Sequence, residues 1–77
     1  MKVEYDKMVD AKGLKCPKPL LLTKLALKTM QKGEVLLLEA TDEHTDLDLE
    51  VWCERFGHEM IHAQCCDNIY KFWIIKF

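Results

Sequence analysis

Two prolines at the head of a leucine-rich run restrict where this chain can begin a helix. Pro17 and Pro19 follow Cys16, and apolar residues recur at helical spacing from that point onward. Proline lacks a backbone N–H and has a φ close to the helical value, so it fits the first turn of a helix and not its interior. We therefore predict a helix over residues 17–31 that begins at Pro17 and ends before Gly33, a residue type common just after a helix.

Two helices are predicted from the periodicity of apolar residues. The buried face of the first combines leucines with smaller and flexible residues: Leu21, Leu22, Leu25, Ala26 and Met30. Its solvated face is predicted to carry Lys24, Lys28, Thr29 and Lys32. The second helix has apolar residues spaced i, i+3, i+4 and i+7, at Leu49, Trp52, Cys53 and Phe56. Gly57 would end it, and either Asp42 or the pair Thr45 and Asp48 would cap its start.

Four further segments have the pattern of β-strands. They cover residues 3–9, 35–40, 60–64 and 69–77, and residues 65–68 would connect the last two as an antiparallel hairpin. Right-handed crossovers would place both helices on the same face of one sheet. A chain of 77 residues has room for one core, so we predict a single domain over residues 1–77. The predicted fold is an α/β two-layer sandwich in the order strand, helix, strand, helix, strand, strand.

The last predicted strand has apolar residues on both of its faces. Tyr70, Phe72 and Ile74 can face the helices, whereas Trp73 and Ile75 would lie on the other side of the sheet. Two interpretations are open for that second face. It is either half-shielded, with the scattered exposed apolar side chains that soluble proteins commonly have, or a docking or dimer surface around Trp73 and Ile75.

Charge and hydropathy exclude several classes of protein. A net charge of −2 and a pI near 5.9 argue against non-specific nucleic-acid binding, which needs a basic surface. No apolar run approaches the roughly 18 residues that a membrane span requires. The first residues lack the apolar core of a signal peptide, so we expect a cytoplasmic protein whose four cysteines are reduced thiols.

Cys16 is the candidate reactive group. A helix that begins at Pro17 would place Cys16 at its N-cap, where the helix dipole favours an anion. Lys15 and Lys18 flank the thiol, so we predict that its pKa lies below the ordinary value. Because Pro17 and Pro19 lack N–H groups, few donors remain for an oxyanion, which favours chemistry at sulfur over acyl transfer.

Other thiol chemistries fit the spacing less well. A thioredoxin-type centre needs a second cysteine where Pro19 stands, and the cysteines lack the paired spacing of a structural zinc site. A Cys–His pair stays open, with three candidate partners: His44, His58 and His62. An inert N-cap cysteine is the remaining alternative.

The residues around Cys16 closely resemble a known family signature. The pattern Asp-x-x-Gly-Leu-x-Cys-Pro-x-Pro, formed by Asp10, Gly13, Leu14, Cys16, Pro17 and Pro19, resembles that of the TusA (SirA-like) family of sulfur-carrier proteins. The resemblance continues at Gly33-Glu34, Thr41-Asp42 and Gly57-His58-Glu59. It implies a two-layer sandwich of a four-stranded mixed sheet and two helices, which agrees with the predicted element order.

The resemblance also implies a function. Cys16 would accept a sulfane sulfur as a persulfide from a donor protein, a cysteine desulfurase or a rhodanese, and relay it to an acceptor protein. Such relays serve tRNA thiolation, molybdenum-cofactor synthesis or sulfur oxidation, and no bound cofactor or metal is expected. Supporting roles would fall to the residues that surround the thiol: Gly13, Lys15, Pro17, Lys18 and Pro19.

Individual roles follow for some of these residues. The prolines would present the thiol, the lysines would steer an acidic partner or lower the thiol pKa, and Gly13 would permit an unusual backbone angle. Asp10 is expected to brace the turn and Asp42 to act as a cap. Cys53 is expected in the core.

Two alternative functions stay open at this point. One is a regulatory or interaction module in which Cys16 is structural. The other is a thiol redox switch in which Cys16 pairs with Cys65 or Cys66, a cysteine pair that lies outside the family's motif positions.

Overall fold

The computed structural model describes residues 4–76, and its elements follow the predicted order. The strands are β1 (Lys7–Ala11), β2 (Val35–Ala40), β3 (Glu59–Cys66) and β4 (Ile69–Ile75). The helices are α1 (Lys18–Thr29), which follows β1, and α2 (Thr45–Phe56), which follows β2. No helix among these residues is long and apolar enough to cross a membrane.

The four strands form one mixed sheet in the order β1-β2-β4-β3. β1 runs parallel to β2, and β4 runs antiparallel to both of its neighbours. The predicted α/β two-layer sandwich is therefore confirmed. Because β1 and β2 are parallel, the loops that follow them emerge at the same edge of the sheet. That edge brings residues 12–17 next to residues 41–44.

The core lies between the sheet and the two helices. Alternate residues of β2 and β4 face it, and Leu36, Leu38, Phe72 and Ile74 are each at most 1% exposed. Their partners on the helices include Leu27 and Leu49. Burial of these side chains is the main favourable contribution to folding in a domain of this size.

The predicted buried face of α1 was partly wrong. Leu21 is 50% exposed and Leu25 60%, whereas Pro19 and Thr23 are buried. Leucines occupy so much of the circumference of this helix that apolar spacing alone cannot select the inner face. Thr23 is tolerated there because its hydroxyl donates a hydrogen bond of 2.9 Å to the Pro19 carbonyl.

The second helix ends at Gly57, as predicted. Gly57 has φ 79°, in the left-handed region that favours glycine. Leu49 and Cys53 are buried, but Phe56 is 58% exposed, so its prediction as a core residue was wrong. Phe56 lies in the last turn of α2 and packs against the Trp52 ring at 5.7 Å.

The strand boundaries differ from prediction in β1, in β3 and in β4, which ends at Ile75. β1 covers Lys7–Ala11 and not residues 3–9, of which residue 3 lies outside the described residues. β3 extends through Cys65 and Cys66, which were predicted in the connection. The hairpin turns at Asp67 and Asn68, with φ of 53° and 64°. This is the two-residue hairpin turn with positive φ that asparagine and aspartate favour.

The face of the sheet away from the helices is partly shielded. Trp73 is 7% exposed, its neighbour Leu37 is 5% exposed, and the His62 ring lies 4.9 Å from the Trp73 ring. Glu39 is also buried on this face and forms ion pairs of 3.2 Å with Lys12 and 3.8 Å with Lys71. Little of Trp73 is left for a partner, which favours the half-shielded interpretation over a docking surface around Trp73 and Ile75.

Candidate functional site

The loop that carries Cys16 is fastened to the segment after β2. Gly13, with φ 82°, adopts the left-handed conformation that its glycine identity permits. Its N–H donates to the Thr41 hydroxyl at 2.9 Å, and Asp10 accepts a hydrogen bond of 3.0 Å from the Lys12 N–H. These bonds hold the loop at the edge of the sheet where β1 and β2 both end.

The start of α1 differs from prediction by one residue. Pro17 is the N-cap and Pro19 is in the first turn, so Cys16 lies one position outside the helix. The peptide bond between Cys16 and Pro17 is cis. The Lys18 N–H donates to the Lys15 carbonyl at 2.9 Å, and the Cys16 N–H donates to a side chain. Between residues 16 and 19 only Cys16 and Lys18 have a backbone N–H, and both of these groups already donate hydrogen bonds. This agrees with the prediction that the site has few free donors.

Asp42 braces this loop. Its Oδ2 accepts a hydrogen bond of 2.7 Å from the Cys16 N–H, and its Oδ1 accepts one of 2.9 Å from the His44 N–H. The same Oδ1 lies 3.1 Å from the His44 Nδ1. The pKa of Asp42 is lowered by the bond from Cys16 and then by those from His44. The carboxylate is thus a bridge between the two loops, and His44 is the N-cap residue of α2.

The Cys16 thiol donates a hydrogen bond to Asp48 Oδ2. This bond, partial desolvation and the charges of Asp48 and Asp42 raise the pKa of Cys16 from its ordinary value of 9.0 to about 11. The predicted lowering of the thiol pKa was therefore wrong. Both carboxylates come from beyond β2, 26 and 32 residues along the chain from Cys16. The prediction of a lowered pKa rested only on the helix dipole and on the adjacent Lys15 and Lys18.

Asp48 is the residue that sequence analysis missed as part of the site. It was considered only as a partner in a helix cap, and α2 has no side-chain cap bond at its start. One signal was present in the predicted topology. A helix that follows a strand parallel to β1 must begin at the edge where Cys16 lies, so an acidic residue in its first turn comes close to the thiol.

The thiol lies in an open depression. Residues 13–18 line a hollow of about 310 Å³ beside Cys16, and residues 13–15 with 41–44 line an adjoining hollow of about 440 Å³. Cys16, Pro17 and Lys18 are exposed. Another protein can therefore reach the sulfur directly.

The other three cysteines lie apart from this site. Cys53 is 3% exposed in the core, and burial raises the pKa of its thiol to about 11. Cys65 and Cys66 are exposed on β3, and adjacent residues of a strand point to opposite faces. β3 and β1, the strand before the Cys16 loop, lie at opposite edges of the sheet, three strand spacings or roughly 14 Å apart. A disulfide requires Cα atoms within about 7 Å, so this placement disfavours a redox pair with Cys16.

The three histidines do not pair with the thiol. His44 contacts Asp42, His58 packs on Trp52 at 5.0 Å, and His62 packs on Trp73. Among residues 4–76 the structure contains no group of three His, Cys, Asp or Glu side chains that could hold a metal ion.

The chain is similar to known proteins in both sequence and structure. The family model described as Sulfurtransferase TusA matches residues 7–76. The chain is 41% identical over 74 residues to the putative sulfur carrier protein YrkI of Bacillus subtilis (strain 168), with 96% of this chain and 99% of that protein covered. It is 39% identical over 69 residues to the putative sulfur carrier protein YrkF of the same organism, covering 90% of this chain and 37% of that longer protein. A SirA-like protein from Desulfitobacterium hafniense superposes with a TM-score of 0.80 at 22% identity, covering 91% of this chain and 96% of that one.

Proposed function

Because the chain belongs to the TusA family of sulfur carriers, we propose that Cys16 carries one sulfur atom as a persulfide between a donor protein and an acceptor protein. The observation that supports this most directly is the exposed Cys16 thiol with the Asp48 carboxylate as its hydrogen-bond partner. A nucleophile and a carboxylate that controls its protonation are in contact at a surface that a partner can reach.

The charging step is an exchange at sulfur that leaves the overall oxidation state unchanged. As the donor protein displaces or neutralises Asp48, the Cys16 thiol loses its proton to solvent, and its sulfur attacks the outer sulfur of a persulfide on the donor. A new S–S bond forms on Cys16 as the donor's S–S bond breaks. The donor thiolate that leaves takes up a proton, so the reactants and the products each comprise one thiol and one persulfide.

The discharging step reverses these roles. A thiolate of the acceptor attacks the outer sulfur of the Cys16 persulfide, and Cys16 leaves as a thiolate that regains a proton. Asp48 and Asp42 place negative charge beside an anionic persulfide, which disfavours its retention. A carrier that must release its cargo is served by such a site.

The raised pKa defines how this thiol behaves at rest. The thiol is almost entirely protonated near neutral pH, so it reacts slowly with oxidants and alkylating agents. Once its proton is removed, a thiolate of high pKa is a strong nucleophile. A donor that neutralises or displaces Asp48 therefore activates Cys16 within the complex.

The partners follow from this chemistry. We propose a cysteine desulfurase or a rhodanese as the donor, and an acceptor that serves tRNA thiolation, molybdenum-cofactor synthesis or sulfur oxidation. Lys15 and Lys18 are exposed beside the thiol and would attract an acidic surface of either partner. Gly13, Pro17 and Pro19 would hold the loop that presents Cys16.

Intact-protein mass spectrometry tests the proposal. The chain is incubated with a cysteine desulfurase and cysteine, and separately with a rhodanese and thiosulfate. We expect a reducible gain of one sulfur mass in the parent and in the Cys65→Ala/Cys66→Ala variant, and none in Cys16→Ala. A gain that persists in Cys16→Ala would overturn the assignment. No gain with either donor, while Cys16 stays open to alkylation, would instead favour an interaction module.

A further inference from the structure

A second concave site lies between the C-terminal halves of α1 and α2. This cleft has a volume of about 350 Å³ and is here called the helix cleft; its lining is Lys24, Leu27, Lys28, Trp52, Phe56, His58 and Lys76. Leu27 lies nine residues beyond Lys18, the first residue of α1, which is about 14 Å along the helix at 1.5 Å per residue. None of the lining residues takes part in the proposed sulfur transfer.

One wall of the helix cleft is aromatic. The Trp52 ring lies 5.7 Å from the Phe56 ring and 5.0 Å from the His58 ring, both in tilted arrangements. Leu27 is 2% exposed, whereas Phe56 is 58% exposed. The exposed area of the Phe56 ring is apolar, and a planar ring that packed against it would remove this area from water.

The rim of the helix cleft is positively charged. Lys24, Lys28 and Lys76 contribute three ammonium groups in a chain whose net charge is −2. Among residues 4–76 none of the three forms an ion pair with a carboxylate, in contrast to Lys12 and Lys71, which both pair with Glu39.

Two contacts orient this rim. Lys76 donates a hydrogen bond of 2.6 Å to the Met30 carbonyl, and the Lys24 Nζ lies 6.0 Å from the centre of the Trp52 ring. Burial, and next the charge of Lys76, lower the pKa of His58. Ammonium groups that lie together without a carboxylate partner among the described residues raise the local concentration of anions.

We propose that the helix cleft binds a small planar aromatic anion, whose ring packs against Trp52 and Phe56 and whose carboxylate or phosphate is held by the lysines. The volume is near the lower end for small-molecule sites and fits one ring system with an acidic group. Binding requires both the apolar wall and the cationic rim, because the ligand's ring buries apolar area on the wall and its negative charge, held by the lysines, fixes its orientation.

Fluorescence titration of the full chain with 1-anilinonaphthalene-8-sulfonate, an aromatic anion with a planar naphthalene ring, tests this site. Indole-3-acetate and adenosine monophosphate serve as competing carboxylate and phosphate ligands, and indole and adenosine serve as their neutral counterparts. We expect saturable binding with one site per chain, and competition by at least one of the two anions at concentrations tenfold or more below its neutral counterpart. The anion that competes better identifies the acidic group.

Matched variants locate the site. Lys28→Glu and Phe56→Ser should each weaken binding about tenfold or more. Their controls, Lys32→Glu and Leu47→Ser, change the same kind of exposed residue outside the cleft and should stay within about twofold of the parent. Circular dichroism confirms that each variant is folded.

Other outcomes overturn the proposal. These are the absence of saturable binding up to millimolar ligand, equal losses in the control variants, or neutral ligands that bind as tightly as anions. An acidic peptide with one phenylalanine that displaced the probe at lower concentration than either small anion would assign the cleft to a protein partner instead. Binding should be unchanged in Cys16→Ala, which separates this test from that of the sulfur carrier.

Discussion

Replacing Asp48 by asparagine should make Cys16 more reactive. The amide is close in shape to the carboxylate but carries no charge, so the variant loses the main cause of the raised thiol pKa. Desolvation and the charge of Asp42 remain. The pKa of Cys16 should therefore fall from about 11 towards the ordinary value of 9.0.

The size of the effect follows from two opposing terms. At pH 7 a thiol of pKa about 11 is ionised to about one part in 10⁴, and one of pKa 9.0 to about one part in 10². A full return would thus raise the thiolate fraction about 100-fold, while the intrinsic nucleophilicity falls by roughly 6- to 10-fold at a Brønsted slope of about 0.4–0.5. The net gain in alkylation rate is about tenfold for a full return and about threefold for a fall of one pKa unit.

The assay is alkylation by iodoacetamide, followed by mass spectrometry in a Cys65→Ala/Cys66→Ala background. The rate for the parent should keep rising with pH up to about 11, whereas the rate for Asp48→Asn should level off earlier. Asp46→Asn is the control, because Asp46 lies in the same first turn of α2 and has no bond to the thiol. Unchanged or slower alkylation of Asp48→Asn at pH 7, or an equal gain in Asp46→Asn, would refute the role given to Asp48.

Three further predictions concern stability. Because the pKa of Asp42 is lowered on folding, its carboxylate stabilises the fold above the unfolded pKa of 3.8, and this stabilisation is lost as the pH falls through the folded pKa. The midpoint of urea unfolding should therefore drop in this acid range, and the drop should be smaller in Asp42→Asn. Phe72→Ala should cost about 3–5 kcal/mol in urea unfolding, whereas Phe56→Ala, at an exposed site, should cost less than about 0.5 kcal/mol; similar losses would contradict the assigned core. Gly13→Ala and Gly33→Ala both place alanine at positive φ and should each cost about 1–2 kcal/mol, but only Gly13→Ala should change the alkylation rate of Cys16. An equal change in both would show that the loop does not position the thiol.

Local patterns were sufficient for much of the fold. Three features were predicted from a few adjacent residues and are confirmed by the structure: the buried strand at Val35–Ala40, the helix end at Gly57 and the hairpin. The errors arose where the decisive interaction is not local. Leu21 and Leu25 have the same apolarity as the buried Leu27, and only packing against the sheet distinguishes them.

The candidate site also combines features set by local sequence with features set by distant residues. The position of Cys16 at the mouth of a helix could be predicted from Pro17 and Pro19, because proline restricts the backbone locally. Its protonation state could not, because it depends on carboxylates that the parallel pairing of β1 and β2 brings from α2 and the loop before it. Even the sign of the pKa shift was therefore set by the fold.

The parallel pairing of β1 and β2 also has a consequence for the life of the chain before it folds. In an unfolded chain, residues 16 and 48 are far apart on average and the thiol ionises as in a free peptide. Folding brings Asp48 to Cys16 and suppresses ionisation, so this nucleophile is less reactive in the native state than in the nascent chain. Oxidative or electrophilic damage at Cys16 should accordingly fall mainly on newly made or unfolded molecules, whereas folded molecules should keep Cys16 as an intact thiol.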